Sequence, residues 1–303
     1  MKHPVTIDSG KPGPSLLITA GVHGDEYEPL MAAFRLMDGL GGMLSSGKVT
    51  VVAGVNETAV RAHLRCGADS LDLARTCPGD ALGSPTQADA FAVSALIRAA
   101  DALIDLHTGG RIFDIHPMAG YMVHPERSVL AANRAMAQAF GLPLIWGTDP
   151  APNGRTLSIA RDAGIPSIYV EYGGGSMVRP HIAEAYVQGC LRVMSSFSML
   201  LEPLPPAGPP DFWIEDAAPN QGHLQSKMPA PCAGIFLPAV ALGDSITQGD
   251  LWGHILDVHT GQRLPVQAED TGLVLFLRVD AVVSAGDSLG GICAVNAKTI
   301  YRP

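Results

Sequence analysis

Before residue 205 the chain repeats one pattern, a short apolar run followed by a longer segment whose apolar residues have helical spacing. Short apolar runs are typical of buried strands, and longer periodic segments are typical of amphipathic helices. The alternation predicts an α/β fold with a mostly parallel or mixed sheet flanked by helices. The predicted strands lie near residues 16–20, 49–55, 102–106 and 166–171, and the predicted helices near 27–40, 86–100, 127–140 and 180–201.

The pattern changes at a proline-rich stretch, residues 205–212, which we interpret as a linker because proline sustains neither a helix nor a central strand. Beyond it, short apolar runs are separated by Gly-Asp turns, which favours an all-β domain of barrel-sandwich-like form. The predicted domains are therefore an α/β catalytic domain, residues 1–204, and a C-terminal β domain, residues 213–303. The second domain is interpreted as a structural or gating element.

Polar side chains with metal-ligand chemistry follow two of the predicted strands. His23 and Glu26 lie just after the first strand, beside glycines that permit a sharp turn, and His107 ends the third strand. In open α/β sheets the carboxyl ends of the strands gather ligands at one edge. Two imidazoles and a carboxylate are a catalytic zinc set that leaves one position for water. Asp105 is placed to accept the second N–H of the His107 ring.

Taken together, several motifs along the chain resemble those of the succinylglutamate desuccinylase/aspartoacylase family, which is related to the zinc carboxypeptidases. The glycine-rich tail after Glu171 is most similar to the subgroup that resembles N-acetyl-diaminobutyrate deacetylase. The motifs occur in the family's order and are Gly21-Val22-His23-Gly24-Asp25-Glu26, Asn56 with Arg65 nine positions later, Asp72-Leu73-Ala74-Arg75, Asp105-Leu106-His107 and Glu171-Tyr172-Gly173.

The resemblance implies one Zn²⁺ per chain on His23, Glu26 and His107. It also implies that Glu171, at the end of the fourth strand, is the general base and that Arg65 stabilises the oxyanion. Members of the family are often dimers, which is compatible with a homodimer or a higher homo-oligomer. The sequence itself does not establish the oligomeric state.

Four further residues are predicted to bind substrate. Arg75 matches the family's second arginine and could anchor a substrate carboxylate with its guanidinium fork. Arg161, ten residues before Glu171, is a second candidate anchor, and His116 is a candidate for lining the pocket. On the resemblance, Asn56 orients Arg65 or a substrate amide.

One position departs from the family's pattern. The asparagine that precedes the second arginine in the family is Ala74 here. In the family that asparagine helps to hold the carboxylate end of the substrate. The resemblance therefore implies the reaction type more firmly than the substrate.

Bulk composition excludes several partners. A net charge of −9 disfavours binding to nucleic acid and to anionic membranes, and no apolar run is long enough to span a membrane. The five cysteines lack Cys-x-x-Cys spacing and are typical of reduced structural thiols. Residues 1–5 lack the apolar core of a signal peptide, so we expect a cytoplasmic protein.

The sequence thus predicts a zinc-dependent hydrolase that cleaves the amide bond of a small N-acyl amino acid or a similar N-acylated compound. Two alternatives remain open at this point. A zinc peptidase or esterase would use the same metal site on a different bond. A non-catalytic binding protein would keep the fold, although such a protein has no need for Glu171 as a base.

Overall fold

The computed structural model describes residues 1, 3–219, 228–295 and 301. The predicted C-terminal β domain therefore lies partly outside the described residues. The helices of the described part are α1 (Tyr27–Gly39), α2 (Glu57–Ala62), α3 (Pro85–Arg98), α4 (Arg127–Phe140), α5 (Thr156–Asp162) and α6 (Pro180–Ser196), with a 3₁₀ turn at Leu73–Arg75.

Strands in the described residues belong to two sheets. Eleven of them form a mixed sheet, and the other four form a smaller antiparallel sheet, in the order β12-β11-β9-β14. The strands are β1 (Val5–Asp8), β2 (Ser15–Ala20), β3 (Lys48–Ala53), β4 (Ala102–His107), β5 (Phe113–Met122), β6 (Leu144–Thr148), β7 (Ser167–Gly174), β8 (Phe212–Glu215), β9 (Gly234–Pro238), β10 (Ser245–Ile246), β11 (Leu251–Leu256), β12 (Arg263–Gln267), β13 (Gly272–Arg278), β14 (Val282–Val283) and β15 (Gly290–Cys293).

The centre of the large sheet is parallel. Strand β2 pairs in parallel with β3 and β4, and β4 pairs in parallel with β7. Successive side chains of a strand point to opposite faces, and in β4 Leu103 and Ile104 join two different hydrophobic cores. Helices α1, α4 and α6 cover one face, and α3 and α5 cover the other. The predicted α/β sheet flanked by helices is confirmed.

Three strands of the sheet before the linker were not predicted, β1, β5 and β6, and the last two show why. Strand β5 carries Pro117, and its pairing with β7 shifts register between Ile115 and Met118. Such a bulge accommodates a proline that would otherwise interrupt the ladder. Strand β6 is only five residues long and includes Gly147. Both sequences lack the uninterrupted apolar run that identified the other strands.

Two predicted boundaries need correction. Helix α6 ends at Ser196 rather than near residue 201, because Ser198 adopts a left-handed φ of 58° and Leu200 bridges to Leu44. The predicted linker, residues 205–212, includes the first residue of β8, which begins at Phe212 and pairs with β6.

The chain beyond the linker contributes strands to both sheets. The antiparallel sheet of β9, β11, β12 and β14 is separate, and Trp252 is fully buried in its core. Strands β10, β13 and β15 instead extend the large sheet, and β13 pairs directly with the first half of β5. The C-terminal part of the chain therefore completes the sheet that carries the site.

None of the helices in the described ranges combines the length and the apolar character needed to cross a bilayer.

Candidate metal centre and active site

The predicted metal ligands lie at the carboxyl ends of two adjacent parallel strands. His107 is the last residue of β4, and His23 and Glu26 occupy the turn between β2 and α1. This turn packs tightly on α2, since a Cβ atom at Gly24 would lie 1.9 Å from the carbonyl oxygen of Ala59. Only glycine fits at that position, and the close approach directs the turn toward β4.

The three ligand side chains are buried and converge on one point. His23 Nδ1 lies 2.7 Å from Glu26 Oε1, and His107 Nδ1 lies 3.1 Å from Glu26 Oε2. One ligand atom from each residue can be chosen so that all lie within 4.8 Å of one another. Burial raises the pKa of Glu26, because it disfavours the ionised form. The charges and hydrogen bonds of His23 and His107 have the larger effect and lower this pKa to about 2.

A carboxylate outside the cluster contacts the far nitrogen of each imidazole. His23 Nε2 lies 3.1 Å from Asp72 Oδ1, and His107 Nε2 lies 3.0 Å from Asp105 Oδ2. Asp105 also accepts hydrogen bonds from the hydroxyls of Thr19 and Thr156. Outer carboxylates of this kind place the ring proton on Nε2 and leave the Nδ1 lone pair for a metal. The contact predicted between Asp105 and His107 is present.

This arrangement fits a divalent cation. Two imidazoles with free Nδ1 positions and one carboxylate are a donor set suited to Zn²⁺. Asp72 and Asp105 supply further negative charge near the cluster. The pKa of each is lowered despite burial, so both are ionised. Burial alone would raise both pKa values. The largest interaction that lowers the pKa of Asp72 is its hydrogen bond with His23, and the largest that lowers the pKa of Asp105 is the charge of His107.

Glu171 lies beside this cluster on β7, where it pairs in register with His107 on β4. Its Oε2 atom is shielded from solvent and accepts no hydrogen bond from a described residue. Burial raises the pKa of Glu171 to about 8, since it outweighs the opposing charge of His107. A carboxylate with a high proton affinity and an unpaired oxygen is suited to exchanging a proton with a bound molecule.

A cavity of about 380 Å³ opens over these groups. Its polar lining includes the metal cluster, Glu171 and three arginines, Arg65, Arg75 and Arg155. Arg65 donates from Nη2 to Asp72 Oδ2 at 2.9 Å, so Asp72 connects Arg65 to His23. Arg75 donates to the carbonyl oxygen of Ala74 at 2.8 Å.

The structure does not bring the other three predicted residues to the cavity. Asn56 is buried and caps α2, with its Oδ1 accepting from the backbone N–H of Ala59 at 3.2 Å. Arg161 donates to Asn153 Oδ1 at 2.7 Å and to backbone carbonyls of the loop before α5. His116 lies on β5 beside Gly243.

Sequence reasoning missed part of the lining. Arg155 follows a loop with no strand-end signal, and Phe113 and Phe276 belong to strands that meet only in the fold. The role of Asp72 was also missed. Its position in the same motif as Arg75 was the available signal.

Comparison with known proteins agrees with this geometry. The model of the succinylglutamate desuccinylase/aspartoacylase catalytic domain matches residues 12–197, which is more than half of the chain. The chain belongs to this family. Membership supports a hydrolase that acts on amide bonds, as the sequence motifs predicted.

Individual relatives extend the similarity over almost the whole chain. The N-α-acetyl-L-2,4-diaminobutyric acid deacetylase of Halomonas elongata is 30% identical over 300 residues, covering 96% of this chain and 85% of the relative. A succinylglutamate desuccinylase from a Silicibacter species has a TM-score of 0.87 at 24% identity, covering 95% of this chain and 87% of that one. The ectoine utilization protein EutE (DoeB) of Ruegeria pomeroyi, in its product-bound structure, has a TM-score of 0.86 at 24% identity, with the same coverage of each chain.

Proposed function

We propose that this protein is a zinc-dependent deacylase that hydrolyses the amide bond of a small N-acyl amino acid. The observation that carries the proposal is the buried convergence of His23, Glu26 and His107 next to Glu171, whose Oε2 atom has no hydrogen-bond partner among the described residues. The family is one of amide hydrolases. The Halomonas relative is named for an N-acetylated amino acid, which supports the same substrate class here.

Zn²⁺ held by the three ligands would supply Lewis-acid chemistry, which acidifies water and polarises a carbonyl. The remaining steps depend on the chain itself. In its ionised form, Glu171 accepts the proton of the attacking water and returns it to the leaving nitrogen. Its position beside His107 places this base within the same buried space as the ligands.

Arg65 supplies positive charge where negative charge develops on the scissile oxygen. Its ion pair with Asp72 fixes the guanidinium at the rim of the metal cluster, because Asp72 is itself held by His23. Asp105 and Asp72 keep the two imidazoles in one orientation and one tautomer.

A hydrolysis screen of N-acetyl and N-succinyl amino acids with zinc-reconstituted protein tests the proposal. We expect release of the free amine from at least one compound and loss of turnover after chelation. Activity confined to esters or to peptides would contradict the assigned bond. Turnover that is unchanged in protein shown to contain no metal would contradict the zinc dependence.

A further inference from the structure

Two cationic side chains of the cavity form no ion pair within the described part of the chain. Among those residues, Arg75 donates only to the carbonyl of Ala74, and Arg155 has no carboxylate partner. The Nε of Arg155 is buried without a hydrogen-bond partner. Both arginines line the same cavity, and the segment before Arg155 packs on Arg75, since a Cβ atom at Gly154 would lie 2.6 Å from the carbonyl oxygen of Arg75. Burial and then the charge of Arg155 lower the pKa of Arg75, although the charge of Asp72 opposes this. Arg75 is exposed at the cavity and Arg155 is partly buried, and two cations that line one cavity without an ion-pair partner favour binding of an anion.

Each carboxylate in the described lining already has a role. Glu26 contacts both histidines, and Asp105 contacts His107 and two hydroxyls. Glu171 is the remaining one, and it is the base of the proposed reaction. The described lining of the cavity therefore has no spare acid to pair with a cationic group of a substrate.

Another part of the lining is hydrophobic. Strands β5 and β13 contribute two phenylalanine rings, which contact each other edge to face with centroids 5.2 Å apart. Since β5 is the neighbour of β7, and β13 the neighbour of β5, these rings lie beyond Glu171 along the sheet. This apolar wall consists of Phe113, Ile115, Met122, Leu157 and Phe276.

The position of this apolar wall indicates which part of a substrate it contacts. Glu171 returns a proton to the leaving nitrogen, so the amino-acid portion lies on the side of β7. Both phenylalanines lie on that side. Arg155 also lies there, because it precedes the first residue of α5, and α5 packs on β7.

We propose that the substrate is an N-acyl amino acid with an uncharged, bulky, apolar side chain, whose carboxylate binds between Arg75 and Arg155. This inference rests on the proposed deacylase function and narrows its substrate class. It separates this chain from a deacetylase of diaminobutyric acid, whose side chain carries an ammonium group. A side-chain cation would lie next to two guanidinium groups and against phenyl rings, without a described carboxylate to neutralise it.

Binding of non-hydrolysable analogues tests the inference apart from turnover. N-methanesulfonyl-L-phenylalanine, N-methanesulfonyl-L-2,4-diaminobutyrate and N-phenethylmethanesulfonamide are titrated by calorimetry into the full-length protein, with and without Zn²⁺. We expect the phenylalanine compound to bind at least about tenfold more tightly than either of the others. Only this compound offers both a carboxylate to the two arginines and an apolar side chain to the apolar wall. Equal or tighter binding of the diaminobutyrate compound, or no binding of the phenylalanine compound, would overturn the inference.

Variants assign the carboxylate contact. Arg155→Gln should remove most of the preference for the phenylalanine compound over N-phenethylmethanesulfonamide, which lacks the carboxylate. Arg127→Gln is the matched control, since Arg127 is exposed at the start of α4 and does not line the cavity, and it should keep the preference. A full preference in Arg155→Gln, with circular dichroism showing a folded protein, would overturn the assignment.

Turnover separates this inference from the deacylase proposal. Selective binding of the phenylalanine compound without hydrolysis of either N-acetyl- or N-succinyl-L-phenylalanine would contradict the proposed reaction and support the ligand class. Hydrolysis of N-acetyl-L-2,4-diaminobutyrate in preference to N-acetyl-L-phenylalanine would support the reaction and overturn the ligand class.

Discussion

Glu171 combines two properties that rarely occur together in a side chain with only a structural role. One of its carboxylate oxygens is buried without a hydrogen bond from any described residue, and burial raises the pKa of Glu171 to about 8. Leaving a buried acceptor unsatisfied costs about 1–3 kcal/mol, and the fold accepts this cost beside the metal ligands. The position is thus better explained by proton transfer than by stability.

Replacement of this base gives the first prediction. Glu171→Gln keeps the shape of the side chain and removes its proton-accepting ability, so kcat should fall by about 100-fold or more. Zinc content, measured by atomic emission, should stay the same. Glu184→Gln is the control, because Glu184 is exposed on α6 and pairs with Arg35. Full turnover in Glu171→Gln would show that another group is the base.

The pH profile gives the second prediction. A general base acts when ionised, so kcat/KM should rise as pH rises through the pKa of Glu171. Burial raises that pKa from 4.5 to about 8 in the metal-free chain, and a bound cation lowers it by favouring the carboxylate. We expect the midpoint of the acid limb between these two values. The residual activity of Glu171→Gln should lack this limb, and an identical limb in the variant would contradict the assignment.

Asp105 gives a prediction on metal affinity. Asp105→Asn weakens the acceptor at His107 Nε2, and loss of such an outer partner typically reduces metal affinity by about 10–100-fold. Competition with a chromophoric chelator measures the change. Asp101→Asn is the control at the opposite end of β4, where the carboxylate accepts only from the backbone of Ser15. Equal zinc affinity in the two variants would show that Asp105 does not support the ligand.

The convergence of His23, Glu26 and His107 could be predicted from sequence because each comes directly at or after the end of an apolar run. The same reasoning failed for Arg155, which reaches the cavity from a loop of proline, asparagine and glycine without periodicity. It also failed for Arg161, whose guanidinium bonds to the carbonyls of that loop instead. Distance along the chain from Glu171 does not show which way an arginine points.

At the scale of elements, the end of β7 and the turn that follows it are held in place three residues beyond Glu171. Gly174 has a φ of +123°, and a Cβ atom there would lie 2.2 Å from the carbonyl oxygen of Phe113. Arg179 holds the same turn by donating to the carbonyl of Gly174 and to both carboxylate oxygens of Asp114. The turn is therefore fixed from β5 and from the start of α6.

A glycine pair tests this turn. Gly174→Ala should lower the free energy of unfolding by about 3 kcal/mol or more, because backbone strain of about 1–3 kcal/mol adds to overpacking of about 1–3 kcal/mol. Gly164→Ala is the matched control, since its φ is +67° and nothing lies within 4 Å of its Cβ position. It should cost only about 1–2 kcal/mol. Urea denaturation measures both, and equal losses would show that the contact with Phe113 is relaxed easily.

Strand prediction succeeded where burial on both faces makes the sequence continuously apolar, as in β2 and β4. It failed for β5, where Pro117 and Gly120 interrupt the run and a bulge restores the pairing. It also gave no sign that β13 would pair with β5, because pairing between distant segments leaves no local pattern.

For the whole molecule, the proposed binding of Zn²⁺ to the buried cluster of His23, Glu26 and His107 predicts a gain in stability. Zn²⁺ at about 100 times its dissociation constant stabilises the folded state by about 2.7 kcal/mol, so Tm of this 303-residue chain should rise by about 4 °C. Differential scanning calorimetry with Zn²⁺, and then with a chelator, measures the increment. His23→Ala should lose it, whereas the control His259→Ala, in an exposed turn, should retain it. An equal increment in both variants would place the metal elsewhere.

The pairing of β13 with β5 has a consequence for the synthesis of the protein. The outer edge of Phe113–Ile115 stays without its partner until Phe276–Arg278 has left the ribosome. At about 5–20 residues per second, that interval is about 10–30 s. During this time the nascent chain exposes an unpaired strand edge beside an apolar wall, the kind of surface on which chains associate incorrectly. A ligand that needs Phe276 cannot bind before the ribosome has translated nine-tenths of the chain, so growing chains carry no such ligand to protect them.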